Sequence, residues 1–383
     1  MAIKKLSPRL VCSLSVISDP WKDKNRKHLL IDILVIALCT CLAGGEGWTD
    51  CEDYVRSNED WFRQFRALPH GAPSHDVFRE VFMRLDTSQF VTALSEWVQE
   101  VRGLDSISAD SLSEPRQFSI DGKTIRGSAD KANEKSPFHL VSAWVKDLGI
   151  SMGQIAVGKK SNEIIAIPKL LRTLDVKGAI VSIDAMGCQK RIASQIRRQG
   201  GDYVLALKKN QPSLYEQVDD FFSTAEEFNF EDIEYEDYET VEKDHGRIEI
   251  RKYTLVTDVR WLEKKGWTGL KSVGRVIRER RANGKVSRET VYHISSLSGK
   301  AKTYANAVRK HWGVENKLHW CLDVIFNEDQ CRIRAEFSAQ NYSALRRVAI
   351  AIFNRDKSKD LSMRRKRLKA AWSTNYIQTL IFS

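Results

Sequence analysis

Two aspartates end similar apolar segments of the chain. Ser119-Ile-Asp121 and Ser182-Ile-Asp184 each close a short run that is typical of a buried strand. In an α/β sheet the strand ends line up along one edge, so we expect the two carboxylates to lie side by side. Neighbouring carboxylates repel one another unless a cation lies between them, and oxygen-ligated Mg²⁺ or Mn²⁺ meets that need. The alternative for either residue alone is a turn position or a helix N-cap.

A third carboxylate, Glu315, lies in a segment with helical spacing. One predicted helix face carries Val308, Trp312, Glu315, His319 and Leu322. These neighbours predict that Glu315 is buried, where an unpaired carboxylate is costly and a metal ion offsets the cost. Two aspartates on strands and a glutamate on a later helix suit phosphoryl transfer with two metal ions, one activating the nucleophile and one stabilising the leaving oxygen.

A zinc site is the rival interpretation of the same helix. His311, Glu315 and His319 are spaced by four residues, which places three possible ligands on one side of a helix. This hypothesis leaves Asp121 and Asp184 unexplained, and the segment lacks the His-Glu-x-x-His order of zinc proteases. We therefore favour the two aspartates with Glu315 as the metal ligands.

Alternating strands and helices must position these side chains. Between 117 and 222 the order is strand, strand, strand, helix, strand, helix, strand, helix, which predicts an α/β fold with a mixed sheet flanked by helices. Residues 226–244 hold ten carboxylates and one lysine, a run that favours a solvated loop or edge. The predicted domains are a helical N-terminal region, the first part of the core that carries the aspartates, a β-rich insertion, and the rest of the core with its C-terminal helices, at 1–113, 114–222, 223–300 and 301–383.

Composition and charge narrow the class of protein. A chain of 383 residues with 42% hydrophobic and 29% charged residues is an ordinary globular protein, and its net charge of +11 favours a polyanionic partner such as nucleic acid. Seven cysteines without a paired Cys-x-x-Cys spacing argue against a disulfide scaffold or a structural zinc site. The apolar run 29–42 is too short to span a membrane. We expect a cytoplasmic protein without a membrane partner.

Basic side chains near the predicted sheet edge and tail are candidates for contacting DNA phosphates. Residues 355–369 contain eight Lys or Arg against two Asp, so this stretch attracts phosphate unless it is only a solvated helix face. The complete set of candidate DNA contacts is Lys123, Arg126, Lys208, Lys209, Asn210, Gln211, His245, Arg247, Arg309, Lys310, His311, Lys317, Arg364, Arg365, Lys366 and Arg367.

Several long motifs resemble one bacterial family. The motifs that carry the resemblance are Phe118-Ser-Ile-Asp-Gly-Lys-Thr-Ile-Arg-Gly127, Ser161-Asn-Glu-Ile164, Asp184-Ala-Met-Gly-Cys-Gln-Lys190, Gly200-Gly-Asp-Tyr203, Lys208-Lys-Asn-Gln211, His245-Gly-Arg-Ile-Glu249 and His311-Trp-Gly-Val-Glu-Asn-Lys-Leu-His-Trp320. They are similar to those of the H-repeat-associated insertion-sequence transposases, and the likeness covers nearly the whole chain. The resemblance implies a ribonuclease-H-like core, an Asp-Asp-Glu triad at Asp121, Asp184 and Glu315, two Mg²⁺ or Mn²⁺ ions, and action on terminal inverted repeats.

The same resemblance implies double-stranded DNA partners, both transposon ends and target, with recognition of the ends by the helical region 1–113. It also implies a homo-oligomer on DNA and a location at the nucleoid. Related insertion-sequence enzymes often carry Tyr, Arg and Lys around the glutamate, whereas this chain has Val308, His311 and Leu322 there. Arg309, Lys310 and Lys317 are the possible substitutes. Two other functions stay open: a metal-dependent nuclease that cleaves without joining, and a non-catalytic DNA-binding descendant.

Overall fold

The computed structural model of the chain describes residues 8–21, 27–101, 115–130, 134, 136–158, 162–244, 246–262, 266–356 and 361–382. The chain divides into two compact units, each assembled from separate stretches of sequence. The first unit comprises Met1–Ser111, Gly122–Lys160 and Glu315–Ser383, and the second comprises Leu112–Asp121 and Ser161–Val314. The sequence predicts four consecutive domains, whereas the units are discontinuous along the chain.

Helices form most of the first unit, as the sequence predicts for the N-terminal and C-terminal regions. Their bounds are α1 Pro8–Ser15, α2 Leu30–Ala43, α3 Trp48–Ser57, α4 Glu59–Arg63, α5 His75–Arg84, α6 Thr87–Val101, α11 Glu336–Arg355, α12 Met363–Trp372 and α13 Thr374–Phe382. Two π-helical segments, Val314–His319 and Cys321–Ile325, and a 3₁₀ turn, Glu328–Gln330, precede α11.

The core of the first unit surrounds α2. This helix is apolar on all sides and is buried along almost its whole length, so other helices must cover every face. Helix α11 packs against α2, α5 and α6. It also packs on the hairpin of β2 (Phe138–Val145) and β3 (Ile150–Val157), through contacts with β3. Within the described ranges no single helix is long and apolar enough to cross a membrane, although the bent pair α2 and α3 passes that test jointly.

A large mixed sheet forms the second unit, in the strand order β1-β4-β5-β9-β8-β7-β6. Strand β1 contributes its first residues here and its last residues to the first unit. The strands are β1 Gln117–Ile125, β4 Ile180–Ile183, β5 Asp202–Leu207, β6 Tyr235–Asp244, β7 Arg247–Val256, β8 Ser272–Ala282 and β9 Lys285–Ser295; the helices are α7 Glu163–Leu171, α8 Lys190–Arg198, α9 Pro212–Glu227 and α10 Ala301–His311. The predicted order of elements between 117 and 222 is confirmed.

The predicted β-rich region is a run of long antiparallel strands. Strand β7 pairs along its length with β6 and β8, and β8 pairs with β9. A two-residue turn joins β8 to β9, and both Asn283 and Gly284 have the positive φ that this kind of hairpin turn requires. The acidic run includes β6, which lies at the sheet edge. Its charges discourage pairing with a further strand.

Helix α10 packs on the sheet within the second unit. Its buried side chains, including Tyr304 and Val308, join a core cluster with Ile180, Val204 and Val276 from the strands. Burial of these apolar groups fixes the helix over the sheet near β1 and β4. The position of α10 matters because its last residue, His311, reaches the strands that carry the predicted aspartates.

Candidate active site

Asp121 and Asp184 follow paired residues on two parallel strands. Strands β1 and β4 pair in parallel up to Ile120 opposite Ile183, and each aspartate is the next residue. This register leaves the two aspartates at equivalent positions after paired residues on strands about 4.8 Å apart. Side chains alternate along a strand, so both aspartates share a face with Ser119 and Ser182. The structure therefore brings these two predicted residues together.

The expected end of β1 at Asp121 is corrected. The strand continues to Ile125, and Lys123 and Ile125 are buried at alternate positions. Their burial outweighs the turn preference of the Asp-Gly pair. Strand β4 does end before Asp184. One aspartate thus lies inside a strand and the other begins a turn.

Asp184 caps the short 3₁₀ turn Ala185–Gly187. Its Oδ1 accepts a hydrogen bond from the Gly187 amide at 3.4 Å, so the N-cap alternative describes part of what this residue does. Burial raises the pKa of Asp184, and the charge of Glu163 raises it further, while amide hydrogen bonds and Lys208 oppose the shift. Burial is the main reason why the ionised form of Asp184 is disfavoured, and a bound cation stabilises that form.

A buried polar network lies two residues before the aspartates. Ser182 Oγ donates to Ser119 Oγ at 3.2 Å, and Gln117 Nε2 donates to Ser182 Oγ at 2.9 Å and to the Ala307 carbonyl at 2.7 Å. His311 Nδ1 lies 3.1 Å from Ser182 Oγ. A hydroxyl has one proton to donate, so the His311 ring donates to Ser182 through Nδ1. The network ties both strands to α10.

His311 is a neutral, half-buried histidine. Burial lowers its pKa to about 4, although a hydrogen bond to the Ser182 backbone acts in the opposite direction. An uncharged ring whose Nδ1 faces Ser182 is poorly placed to hold a phosphate, so the structure corrects its predicted DNA contact. Within the described ranges, no three His, Cys, Asp or Glu side chains are grouped to hold a metal ion, and this covers both the rival zinc set and the set of Asp121, Asp184 and Glu315.

Glu315 is exposed, so the predicted buried face is wrong. Val308 and Leu322 are buried as expected, but Trp312 is 37% exposed and Glu315 faces solvent. The reason is the winding of the backbone, which is π-helical from Val314 to His319. A π segment has more residues per turn than an α-helix and shifts the faces out of phase; such segments are frequent at functional sites.

Comparison with known families assigns the chain. Residues 112–353 match the family model described as transposase DDE domain, and residues 11–98 match the model described as DDE_Tnp_1-associated. The chain belongs to the DDE transposase family. The first of these matches spans both aspartates and Glu315.

Relatives of the same length support this assignment. The chain is 37% identical over 387 residues to the H repeat-associated candidate transposase YhhI of Escherichia coli, covering 100% of this chain and 98% of YhhI. It is 36% identical over 375 residues to the candidate transposase YncI of Escherichia coli O157:H7, covering 97% and 93%. The predicted resemblance to the H-repeat-associated group is confirmed. A shorter match, 32% over 81 residues, is to YbfQ, which is named an inactive transposase.

Four polar residues of the transposase follow β5: two are exposed lysines, and two donate hydrogen bonds to backbone carbonyls. Lys208 and Lys209 are exposed, and Lys208 acts electrostatically on Asp184. Asn210 Nδ2 donates to the Ala185 carbonyl at 2.6 Å, and Gln211 Nε2 donates to the Cys188 carbonyl at 3.0 Å. The two lysines remain candidate phosphate contacts, whereas the two amides hold the loop that follows Asp184.

Lys123 and Arg126 of the transposase differ sharply in exposure. Lys123 is 7% exposed, and its Nζ lies 2.6 Å from Asp323 and 3.1 Å from Asp329 within the first unit. A buried ammonium held by carboxylates is not available to a phosphate, so the predicted phosphate contact of Lys123 is corrected. Arg126 is 83% exposed and lies 3.5 Å from Asp329, so it stays a candidate.

The predicted DNA contacts in the β-rich insertion and around α10 also differ in whether they are paired or exposed. Arg247 pairs with Glu249 at 3.2 Å, and Arg309 pairs with Glu242 at 2.7 Å. Lys317 is exposed. The remaining members of this group are half-buried Lys310 and His245, the latter outside the described residues.

The basic residues of the tail helix α12 form two groups: some bind backbone carbonyls of the fold, and others are exposed. Lys366 Nζ donates to the carbonyls of Phe353 and Asp356 at 2.7 and 2.6 Å. Arg367 donates to the carbonyl oxygens of Ile325 and Gly44 and covers the ring of Phe326. Both cations therefore stabilise the first unit, which corrects their predicted role. Arg364 and Arg365 are exposed and stay candidates.

Sequence reasoning missed the serine pair beside the aspartates, Glu163, and the carboxylates around Lys123. The serine pair had a visible signal, because the tripeptide Ser-Ile-Asp occurs at both strands. Glu163 had only a motif, Ser161-Asn-Glu-Ile164, that indicated no chemistry. The carboxylates around Lys123 had no local signal, since about 200 residues separate Lys123 from Asp323 in the chain.

Proposed function

We propose that this transposase cleaves DNA strands at the inverted-repeat ends of its element and joins them to target DNA. Asp121, Asp184 and Glu315 hold two Mg²⁺ or Mn²⁺ ions in a ribonuclease-H-like core. The observation that carries the proposal is the parallel register of β1 and β4, which sets Asp121 opposite Asp184. A fold has no structural need for two carboxylates at adjacent positions, and their repulsion costs stability unless a cation is bound.

The donor set fits a hard divalent cation. Carboxylate oxygens are the ligands that Mg²⁺ and Mn²⁺ take, and the nearby charge of Glu163, which acts after burial to raise the pKa of Asp184, also favours a cation. When bound, such ions activate the attacking hydroxyl and stabilise the leaving oxygen of a phosphodiester. The work of the protein is to orient the two carboxylates. The Ser119–Ser182 hydrogen bond and the cap on the Gly187 amide do this.

Three features support Glu315 as the third ligand. Its side chain is exposed and therefore accessible. It lies in the first turn of the π-helical stretch Val314–His319, a geometry that is frequent at functional sites. It follows His311 by four residues, and His311 is anchored to Ser182, two residues before Asp184.

The DNA contacts belong to the exposed cations. Lys208 and Lys209 follow β5, the strand beside β4, and extend positive charge from the same sheet edge as the aspartates. Exposed Lys and Arg side chains bind phosphates by releasing counterions, which gives affinity without sequence choice. We assign this role also to Arg126, Lys317, Arg364 and Arg365.

The test replaces each carboxylate without changing its shape. Asp121→Asn, Asp184→Asn and Glu315→Gln should each abolish strand joining while gel shifts with end-containing DNA persist, because only the metal ligands are lost. The exposed Asp175→Asn is the matched control and should join DNA like the wild type. A ligand variant that joins DNA at the wild-type rate refutes the site.

The same assay separates the other functions. Purified protein is incubated with end-containing DNA, a target plasmid and Mg²⁺ or Mn²⁺, and the products are resolved for cut and joined strands. Cut strands without joined products identify a nuclease. Intact DNA with normal gel shifts identifies a non-catalytic DNA-binding protein. Either result overturns the proposal.

A further inference from the structure

Lys123 lies in a partly buried ion cluster of the first unit that the proposed chemistry does not use. Its Nζ is 2.6 Å from Asp323 Oδ1, 3.1 Å from Asp329 Oδ1 and 3.8 Å from Glu328 Oε2. We call Lys123, Asp323, Glu328 and Asp329 the Lys123 clasp. A buried ammonium is costly unless it is paired, and three carboxylates supply that pairing.

The carboxylate side of the Lys123 clasp is anchored to α11. Glu328 is completely buried, and its Oε1 accepts a hydrogen bond from Ser343 Oγ at 2.7 Å and lies 3.3 Å from Arg347 Nη1. Burial opposes ionisation of Glu328, but the charges of Arg347, Arg346 and Lys123 outweigh it and lower the pKa of that carboxyl. The cluster is therefore built from charged groups in fixed positions.

The backbone next to Lys123 closes on the same turn. The Arg126 amide donates to Asp329 Oδ1 at 3.4 Å. A Cβ atom on Gly127 would lie 2.7 Å from the carbonyl oxygens of Asp329 and Cys331, so only glycine allows this approach. Three residues of the motif Asp-Gly-Lys-Thr-Ile-Arg-Gly, namely Lys123, Arg126 and Gly127, thus contact or closely approach the turn Glu328–Gln330.

We propose that Lys123 is a positioning residue that fixes the helical segment beginning at Glu315 to the strand that leads out of Asp121. Lys123 follows Asp121 by two residues in β1, and Asp323 lies in the second π-helical segment, eight residues after Glu315. A salt-bridged link between these two stretches limits how far they slide past one another. This inference rests on the proposed function, since the link positions two proposed metal ligands, Asp121 and Glu315.

Lys123→Met tests the role, with exposed Lys252→Met as the matched control. Misplacement of a reacting group by about 1 Å costs up to about a hundredfold, so we expect joining at saturating DNA to fall about tenfold to a hundredfold. The gel-shift Kd and its dependence on salt should not change. Asp323→Asn should reduce joining in the same way, and the double variant should be no worse than the poorer single variant, because the two residues act as one unit.

Three results would overturn the proposal. A weaker Kd whose salt slope falls by about one identifies Lys123 as a phosphate contact. A lower melting temperature with a wild-type joining rate per folded molecule identifies a role in stability alone. Unchanged hydrogen exchange over 315–331 in Lys123→Met shows that the clasp does not hold this segment. The exchange measurement needs no activity, so it decides on the clasp even if the wild type neither cuts nor joins DNA.

Discussion

The neutral state of His311 makes the stability of the protein depend on pH in a defined way. Burial lowers the pKa of His311 from 6.5 to about 4. The unfolded chain therefore takes up a proton at a higher pH than the folded chain. Stability from this residue is complete above pH 6.5 and is lost as the pH falls from 6.5 towards 4.

The size of the effect follows from the two pKa values. At pH 5 an unfolded histidine is almost fully protonated, whereas a ring with a pKa of about 4 is mostly neutral. Linkage then gives a loss of about 2 kcal/mol in the free energy of unfolding between pH 7.5 and pH 5. This is an upper value, because partial contact with solvent screens the charge.

His311→Gln isolates this contribution, since the amide cannot titrate and keeps a polar group near Ser182. Urea unfolding of the wild type and the variant is followed by circular dichroism at pH 7.5 and pH 5. Other groups titrate equally in both proteins, so we expect the wild type to lose about 2 kcal/mol more than the variant over this range. Parallel losses in the two proteins contradict the assignment of a neutral His311.

Two further stability predictions come from close packing and from the tail. In Gly274→Ala the new Cβ would lie 2.3 Å from Cζ of the buried Tyr304, so urea unfolding should show a loss of about 1–3 kcal/mol, which Tyr304→Leu on the same background should partly restore. Lys366→Met should cost about 2–3 kcal/mol by urea unfolding, because it leaves two carbonyls without their charged donor, and its neighbour Arg365→Met should leave stability unchanged. Arg365→Met should instead weaken DNA binding in gel shifts and lower the salt slope of the Kd by about one. If Lys366→Met weakens DNA binding and Arg365→Met lowers stability, the two roles are exchanged.

Periodicity and strand-end residues were enough to predict the aspartate pair. The apolar runs before Asp121 and Asp184 differ from their helical surroundings, and both close with Ser-Ile-Asp. Sheet geometry then places the two ends together without knowledge of any long-range contact. The long strands after residue 247 were visible for the same reason, because alternation with period two is a local property.

Backbone winding around Glu315 was beyond such reasoning. A face assigned with 3.6 residues per turn fails where the helix becomes π-helical, and no residue type in Val314–His319 marks that change. The burial of Lys123 could not be predicted for a different reason. Its carboxylate partners come from residues far along the chain, and a lysine beside an aspartate looks the same in sequence whether it is buried or exposed.

Under the proposed function, burial rather than charge decides which cations of this basic protein are available to DNA. Lys366 and Arg367 satisfy backbone carbonyls, and Arg309 is paired with Glu242. Drawing a buried cation such as Lys366 towards a phosphate leaves its acceptors unsatisfied, at a cost of about 1–3 kcal/mol for each. A phosphate contact at the surface contributes less than that, about 0–1 kcal/mol, because it exchanges one hydrated charge pair for another. The net charge of +11 therefore overstates the surface available to DNA, and exposed residues such as Lys208 and Arg364 should dominate the salt dependence of binding.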